Sequence, residues 1–542
     1  MRTMLVGGMI HEGTGAPPVK GDLLIEGDRI ADVFRGPSRE LPVDIKIDCT
    51  NLDILPGFIN IHSHFDFSLA VPENRSATAL ISQGITTEAV GQCGQSVLPL
   101  PRSDPGAAMV RDYLEYFLRP LNLRANWEWN DFKDFARMIE EDPGININVV
   151  LFVGHTNLRL AAMGYSARSA TPEEVAAMTK LLTENLEQGA FGLSSGLQWA
   201  PAFFADNDEL VQLARVLHRH HGIYTTHMRA EGDMLLEALE ETIDLARRVE
   251  IPVQVSHLKA AGRKNWGKTS IAIEMIDAER RRGIDIAPDK QPYVVENMGL
   301  RAILPPWVIV EAGGVDGLAE KLKHASGRAE TKRAVTDKTA AHWSSCVVDS
   351  IWEETGFDDL IIDGCPLHPT WEGRSVNQIA VEEQVDPWDL IFDLLSEGKS
   401  APTALFAFES ESDLRTLYEY PFTVCASDYF GKRHPRNWGT FPRFLGRLAH
   451  REHWLEFEEA VRRVTSLAAT RLGIHDRGII ARGNFADIVV IDRDALVDMG
   501  TYDSPETRPS GIVHVLVNGK QVIAHGVPVT NGGRPGRVLR QS

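Results

Sequence analysis

The sequence predicts an α/β protein: a (β/α)8 TIM-like barrel carrying a small β-sandwich domain built from both chain termini and an inserted lid-like segment. Three observations predict it. Strand-then-helix units recur through the middle of the chain, the pattern of a parallel sheet or barrel. Short alternating strands with hairpin turns mark both ends. The residues able to do chemistry fall at the C-terminal ends of successive strands, the face on which barrels build their sites.

Near the start, residues 4–10, 22–26, 29–33 and 45–48 are strand candidates. Near the end, 487–492, 512–518 and 520–524 read the same way. Gly27-Asp28 and Asn518-Gly519 are turn pairs suited to tight hairpins. The economical account joins 1–55 and 478–542 in one composite β-domain around a barrel of residues 56–477.

Within the barrel, strand candidates end at His62, Val90, Gly154, Ser195, His227, His257, Asp289 and Asp428. Helices are expected over 171–188, 207–221, 233–249 and 269–282. The first opens with Thr171-Pro-Glu-Glu, an N-cap, an N1 proline and an acidic first turn. Residues 294–421 separate the last two strands by far more than an ordinary connection. Leu304-Pro-Pro-Trp307, 344–352 and 387–396 suggest structured pieces there, and the lysine-rich 320–338 a solvated helical face. A lid over the barrel mouth is the expected role.

Composition narrows the function. With 43% hydrophobic and 24% charged residues the chain is that of a soluble globular protein. A formal charge of -19 argues against nucleic acid and anionic membranes as partners, and requires any anionic substrate to be held by placed cations. Five scattered cysteines suggest reduced thiols, and no apolar run is long enough for a bilayer, so a cytoplasmic protein is expected. Oligomeric state is not legible.

Residues i and i+2 of a strand share a face, so His62 and His64 can converge on one ion. Alone, that is a weak signal. Cys93 in Gly91-Gln-Cys-Gly94, His155 after the third strand, His227, His257 and Asp428 close or follow other strands. His227 and His257 are one βα unit apart and belong on neighbouring strands. His155 is open between a pocket polar group and a structural histidine, whereas His218, His220 and His221 read as a solvated helix face. Imidazoles and a thiolate suit Zn²⁺, which polarises a carbonyl and acidifies bound water. Asp428 beside that water could take its proton and deliver it to a leaving nitrogen. Gly192-Leu-Ser-Ser-Gly196 fits a nucleophile-elbow frame, but Leu-Gln-Trp-Ala-Pro follows where a helix should open.

The chain resembles the amidohydrolase superfamily and, within it, the D-aminoacylase (N-acyl-D-amino-acid deacylase) family. The resemblance rests on Pro56-Gly-Phe-Ile-Asn-Ile-His-Ser-His64, Gly91-Gln-Cys-Gly94, Thr226-His-Met-Arg-Ala-Glu231, Val255-Ser-His-Leu-Lys259, Ala426-Ser-Asp428 and His434-Pro-Arg-Asn-Trp-Gly-Thr-Phe441. It implies His62, His64, His227 and His257 as metal ligands and Asp428 as catalytic base. It also implies Cys93 where other amidohydrolases use a carboxylated lysine. One zinc is then bound tightly by Cys93, His227 and His257, and a second metal more weakly. Lys259, Tyr293 and Arg436 match groups that hold the substrate's carboxylate. Trp199, with His155, counts among the candidate pocket residues. The family's Asp-x-Tyr-Pro-Tyr is here Asp289-Lys-Gln-Pro-Tyr293, so side-chain preference does not carry over. The implied activity is hydrolysis of N-acyl-D-amino acids to a D-amino acid and a carboxylate. A hydrolase of a cyclic amide or isoaspartyl-type dipeptide and a non-catalytic interaction module are the alternatives.

Overall fold

The structure, a computed structural model, describes all residues except 37–40, 103–105, 120–122, 142, 340–341, 344–345, 398–401, 532 and 542. Eight parallel strands form the central sheet in chain order. They are β1 (Phe58–Ser63), β2 (Ile85–Val90), β3 (Asn148–Gly154), β4 (Gly192–Gly196), β5 (Ile223–His227), β6 (Val253–Val255), β7 (Ile286–Lys290) and β8 (Val424–Cys425). The two ends of the sheet meet: Ser63 bridges to Tyr429, and the Asp428 N–H donates to the His62 carbonyl at 2.9 Å. Every residue of β3 is buried, as expected of a strand covered on both faces.

β6 and β8 stop two and three residues short of the expected ends. His257 and Asp428 lie in the left-handed region, at φ 34° and 47°, and a strand cannot continue through that geometry. All four expected helices keep their boundaries to within two residues, as Pro172–Glu187, Asn207–Arg219, Leu235–Val249 and Lys268–Arg281. The first has a full capping box between Thr171 and Glu174. Leu235–Val249 begins later than Asp233 suggested. Its entry is held instead by Asp349, whose carboxylate accepts the N–H groups of Glu231, Gly232 and Met234.

Both ends of the chain share one nine-stranded hydrogen-bonded sheet. Ile488–Ile491 pairs antiparallel with Asp53–Pro56, which in turn runs parallel to Arg2–Ile10. Leu5, Leu23, Ile25, Ile54, Ile488 and Val490 form its buried core. Asp53–Pro56 was not among the expected strands, because Leu55-Pro56-Gly57 reads as the lead-in to β1.

The segment between β7 and β8 carries its own antiparallel sheet, Thr403–Phe406 lying between Glu296–Gly299 and Leu360–Gly364. Helices Pro306–Glu311 and Pro387–Ser396 stand where two structured pieces were expected. Of 344–352, residues 344 and 345 lie outside the described residues, and a helix Ile351–Thr355 starts near its end. Trp307, Leu318, Ile391 and Phe406 belong to a separate apolar core. The charged stretch forms Val315–Leu322 and Ala325–Thr336, with Glu320 and Lys323 in water. Among the described residues there is no disulfide, and no helix is long and apolar enough to cross a membrane.

His155 is not a pocket residue. It opens the helix His155–Met163, which turns its ring away from the mouth, and Nε2 lies 2.8 Å from Glu209 Oε1 on the helix Asn207–Arg219. Arg159 pairs with the other Glu209 oxygen, and all three side chains are buried. Burial alone would raise the Glu209 pKa, but His155 and Arg159 outweigh it and hold the carboxyl at about 2, against an ordinary 4.5. A folded-state pKa below the unfolded one gives stability that is full above the unfolded value and fades as pH falls towards the folded one. Burial also depresses the His155 pKa, which acts in the same direction on acidification. Glu209→Gln is therefore expected to cost about 3 kcal/mol at neutral pH. Its deficit against the wild type should narrow below about pH 4, and parallel unfolding curves at the two pH values check this.

Candidate active site

Cys93 sits just beyond β2 at φ 53°, in the tight turn between Gly91 and Gly94. The two serines of β4 shape that turn: Ser194 Oγ donates to the Gly91 carbonyl and accepts the Gly94 N–H. Ser195 bonds Tyr224 and Thr226. Both hydroxyls are spent in the barrel, so neither is a nucleophile. Gly196 is required by close approach, since a Cβ there would lie 2.1 Å from the Cys93 carbonyl oxygen.

Around this turn the strand ends bring His62, His64, His227, His257 and Asp428 together. Cys93 Sγ lies 3.3 Å from both His62 Nε2 and His257 Nε2. The candidate ligand atoms form two sets, His62 with His64 and Cys93, and Cys93 with His227 and His257. Within each set they lie within 4.8 Å of one another, and every member is buried. Asp428 Oδ1 is 3.5 Å from Nε2 of both His62 and His64. Soft thiolate and imidazole donors converging at this spacing fit a divalent ion such as zinc.

Electrostatics supports that fit. Burial holds His64 and His257 down, and pulls His227 to about 3, so these rings are neutral and able to ligate. For His62, burial is outweighed by Asp289, which raises its pKa. Burial and the Asp428 charge push the Cys93 thiol well up, and only a strong local cation makes a thiolate there. Arg436 outweighs burial at Asp428 and keeps that carboxylate ionised.

Carboxylates behind the histidines orient them. Glu231 Oε1 is 3.0 Å from His257 Nδ1, and Asp289 Oδ1 is 3.4 Å from His62 Nδ1. His257 Nδ1 also lies 2.8 Å from Lys259 Nζ, so Glu231 and Lys259 together fix the ring with Nε2 towards Cys93. Gln198 Oε1 stands 2.6 Å from His227 Nε2. Glu231 and Gln198 had no role in the sequence reading, although Glu231 closes the Thr226-His-Met-Arg-Ala-Glu motif.

The expected substrate groups divide. A cavity is lined by His64, Cys93, His227, His257, Asp428, Lys259 and Trp199, the last tilted against His227 at 5.1 Å. Apolar Met298, Leu304 and Ile309 of the inserted segment complete the wall. Tyr293 and Arg436 do not line it. Tyr293 is packed edge-on to His434 and beneath Arg443. Arg436 Nη1 donates to Asp428 at 2.8 Å and Glu296 at 3.1 Å, leaving Nε and Nη2 without acceptors. Lys259 Nζ donates to both Glu231 oxygens at 2.9 Å.

Residues 46–523 match the model of the amidohydrolase family. The D-aminoacylase of Alcaligenes xylosoxydans xylosoxydans is 31% identical, over 99% of this chain and 97% of that one. The N-acyl-D-glutamate deacylase of the same organism is 33% identical, over 99% and 96%. Among solved structures, the N-acyl-D-glutamate deacylase of Bordetella bronchiseptica, complexed with zinc and a phosphonate inhibitor, superposes with TM-score 0.80 at 30% identity over 99% of both chains. A D-aminoacylase described with a binuclear metal centre gives TM-score 0.79 at 29% identity, again over 99% of both. With the match running over nearly the whole chain, and four histidines and a cysteine gathered at one barrel mouth, the chain belongs to the amidohydrolase family, in the branch of the D-aminoacylases.

Proposed function

We propose that the protein is a zinc-dependent amide hydrolase that removes the acyl group from N-acyl-D-amino acids, giving a D-amino acid and a carboxylate. The observation that carries the reading is the buried junction of two ligand sets at Cys93 with an ionised Asp428 against one of them. Cys93, His227 and His257 would hold the tighter ion, and His62, His64 and Cys93 a weaker second one. A bound zinc supplies a Lewis acid that polarises an amide carbonyl and acidifies water.

The chain's own groups do the rest. Asp428 is fixed by Arg436 with Oδ1 turned to His62 and His64, placed to accept a proton from the attacking water. The same carboxyl then delivers that proton to the amide nitrogen as the C–N bond breaks, so that a neutral amine leaves. Glu231 and Asp289 hold the ligand rings in place. The apolar wall of Met298, Leu304 and Ile309 suits an acyl chain and keeps bulk water out.

Purified protein should contain zinc and hydrolyse N-acetyl-D-amino acids while leaving their L-enantiomers intact; turnover of neither series, with zinc present, would move the reading to a cyclic amide. Asp428→Asn should lower kcat by about 10³-fold with metal content unchanged, which elemental analysis beside the kinetics separates from metal loss. Cys93→Ala should come off the column depleted of zinc. Glu231→Gln should retain the fold but bind zinc about 10- to 100-fold more weakly, read by competition with a chelating dye.

A further inference from the structure

Glu231 is the carboxylate against which the Cys93, His227 and His257 set is braced. Its Oε1 lies 3.0 Å from His257 Nδ1 and its Oε2 3.5 Å from His227 Nε2, so one side chain reaches both imidazoles. Glu231 sits in the irregular stretch between β5 and the helix Leu235–Val249, where no strand or helix pairing fixes its backbone. Its carbonyl accepts the Ala261 N–H at 2.8 Å, from the loop that follows β6. Its own N–H is held from the inserted segment.

Asp349, buried and 118 residues further along the chain, accepts that N–H at 2.5 Å. The same oxygen accepts the Gly232 N–H at 2.6 Å, and the other oxygen that of Met234 at 3.0 Å. Capping of the helix explains the Met234 contact alone. The two shorter contacts lie upstream of the helix, at Glu231 and its neighbour. Just beyond Asp349, Glu354 on the helix Ile351–Thr355 fills the space that a Cβ on Gly232 or on Gly262 would occupy. Residues 349–354 are thus wedged between the loops after β5 and β6, the strands that lead to His227 and His257. A partner behind a ligand transmits position only as well as its own backbone is held.

We propose that Asp349 is a positioning residue of the metal site: it fixes Glu231 and, through Glu231, the rings of His227 and His257. The inserted segment thereby sets the affinity for the ion held with Cys93. The proposal rests on the zinc-hydrolase reading and deepens it, making the insertion a working part of the metal centre. Coupling of this kind is reciprocal, so zinc must in turn tighten the docking of the helix Ile351–Thr355.

Zinc affinity, read by competition with a chelating dye, tests it. Asp349→Asn keeps the shape but leaves one accepting oxygen, and turns an NH2 group towards an N–H that faced the other. It should bind zinc about 10-fold more weakly than the wild type. In the Glu231→Gln background the same substitution should alter zinc affinity by less than about 2-fold, because the two residues act in series. Thr171→Ala, which removes the cap of the helix Pro172–Glu187, should lower Tm and leave zinc affinity unchanged, separating positioning from general loss of stability. Hydrogen exchange of the wild type requires no variant to fold: zinc should slow exchange over Ile351–Thr355 more than over Pro172–Glu187. Wild-type affinity in Asp349→Asn, an equal loss in both backgrounds, or no extra protection of Ile351–Thr355 overturns the proposal. A wild type that binds no zinc overturns the hydrolase reading instead.

Discussion

Cys93 belongs to both sets of candidate ligands, and the arrangement of the mouth depends on that one sulfur. Its thiol is buried beside carboxylates, surroundings that resist ionisation unless a cation is at hand. The barrel accepts costly local geometry to place it. Cys93, His257 and Asp428 all have positive φ, a conformation costing on the order of 1–3 kcal/mol each for residues with a Cβ. Three such residues converging on one point mark a place where position outranks local comfort. The surrounding parallel sheet, buried on both faces, is stiff enough to enforce it.

Behind the histidines lies a second layer of charge: Glu231, Asp289, Glu296 and Glu409 among Lys259, Lys290 and Arg436. These groups are dry, and charge persists among them only where neighbours compensate it. Glu296 is held far below the ordinary carboxylate range: burial opposes ionisation, but the three cations prevail. Glu409, beside it, is pushed well up by burial and by the Glu296 charge. The pair therefore shares one negative charge, and the layer acts as a preset electrostatic frame for the mouth.

Most of the mouth was readable from the chain because ligands at strand ends need no knowledge of packing. The spacing of His62, His64, Cys93, His227, His257 and Asp428 against the strand pattern places them on one face. Side-chain direction was not readable. His155 occupies a strand end as they do, but a helix begins at that residue and carries it to Glu209. Tyr293 and Arg436 lie in motifs beside the site, yet packing turns one onto His434 and seals the other against Asp428. Glu296 escaped notice because it sits in the long insertion, where no periodicity tells which residues fold back over the barrel. The capping of Leu235–Val249 by Asp349 is likewise a tertiary contact without a local signal.

The shared sheet of the two chain ends sets an order on synthesis. Asp53–Pro56 has its antiparallel neighbour in Ile488–Ile491. At roughly 5–20 residues per second, the first of these strands waits tens of seconds on the ribosome for the second. Through that interval Arg2–Ile10 and its early neighbours form a partial sheet with an open edge, the kind of surface that seeks another chain. The barrel must close in the meantime without the strand that finally binds its entrance. A chain built this way leaves that edge open while it is being made and covers it only when the last strands have emerged.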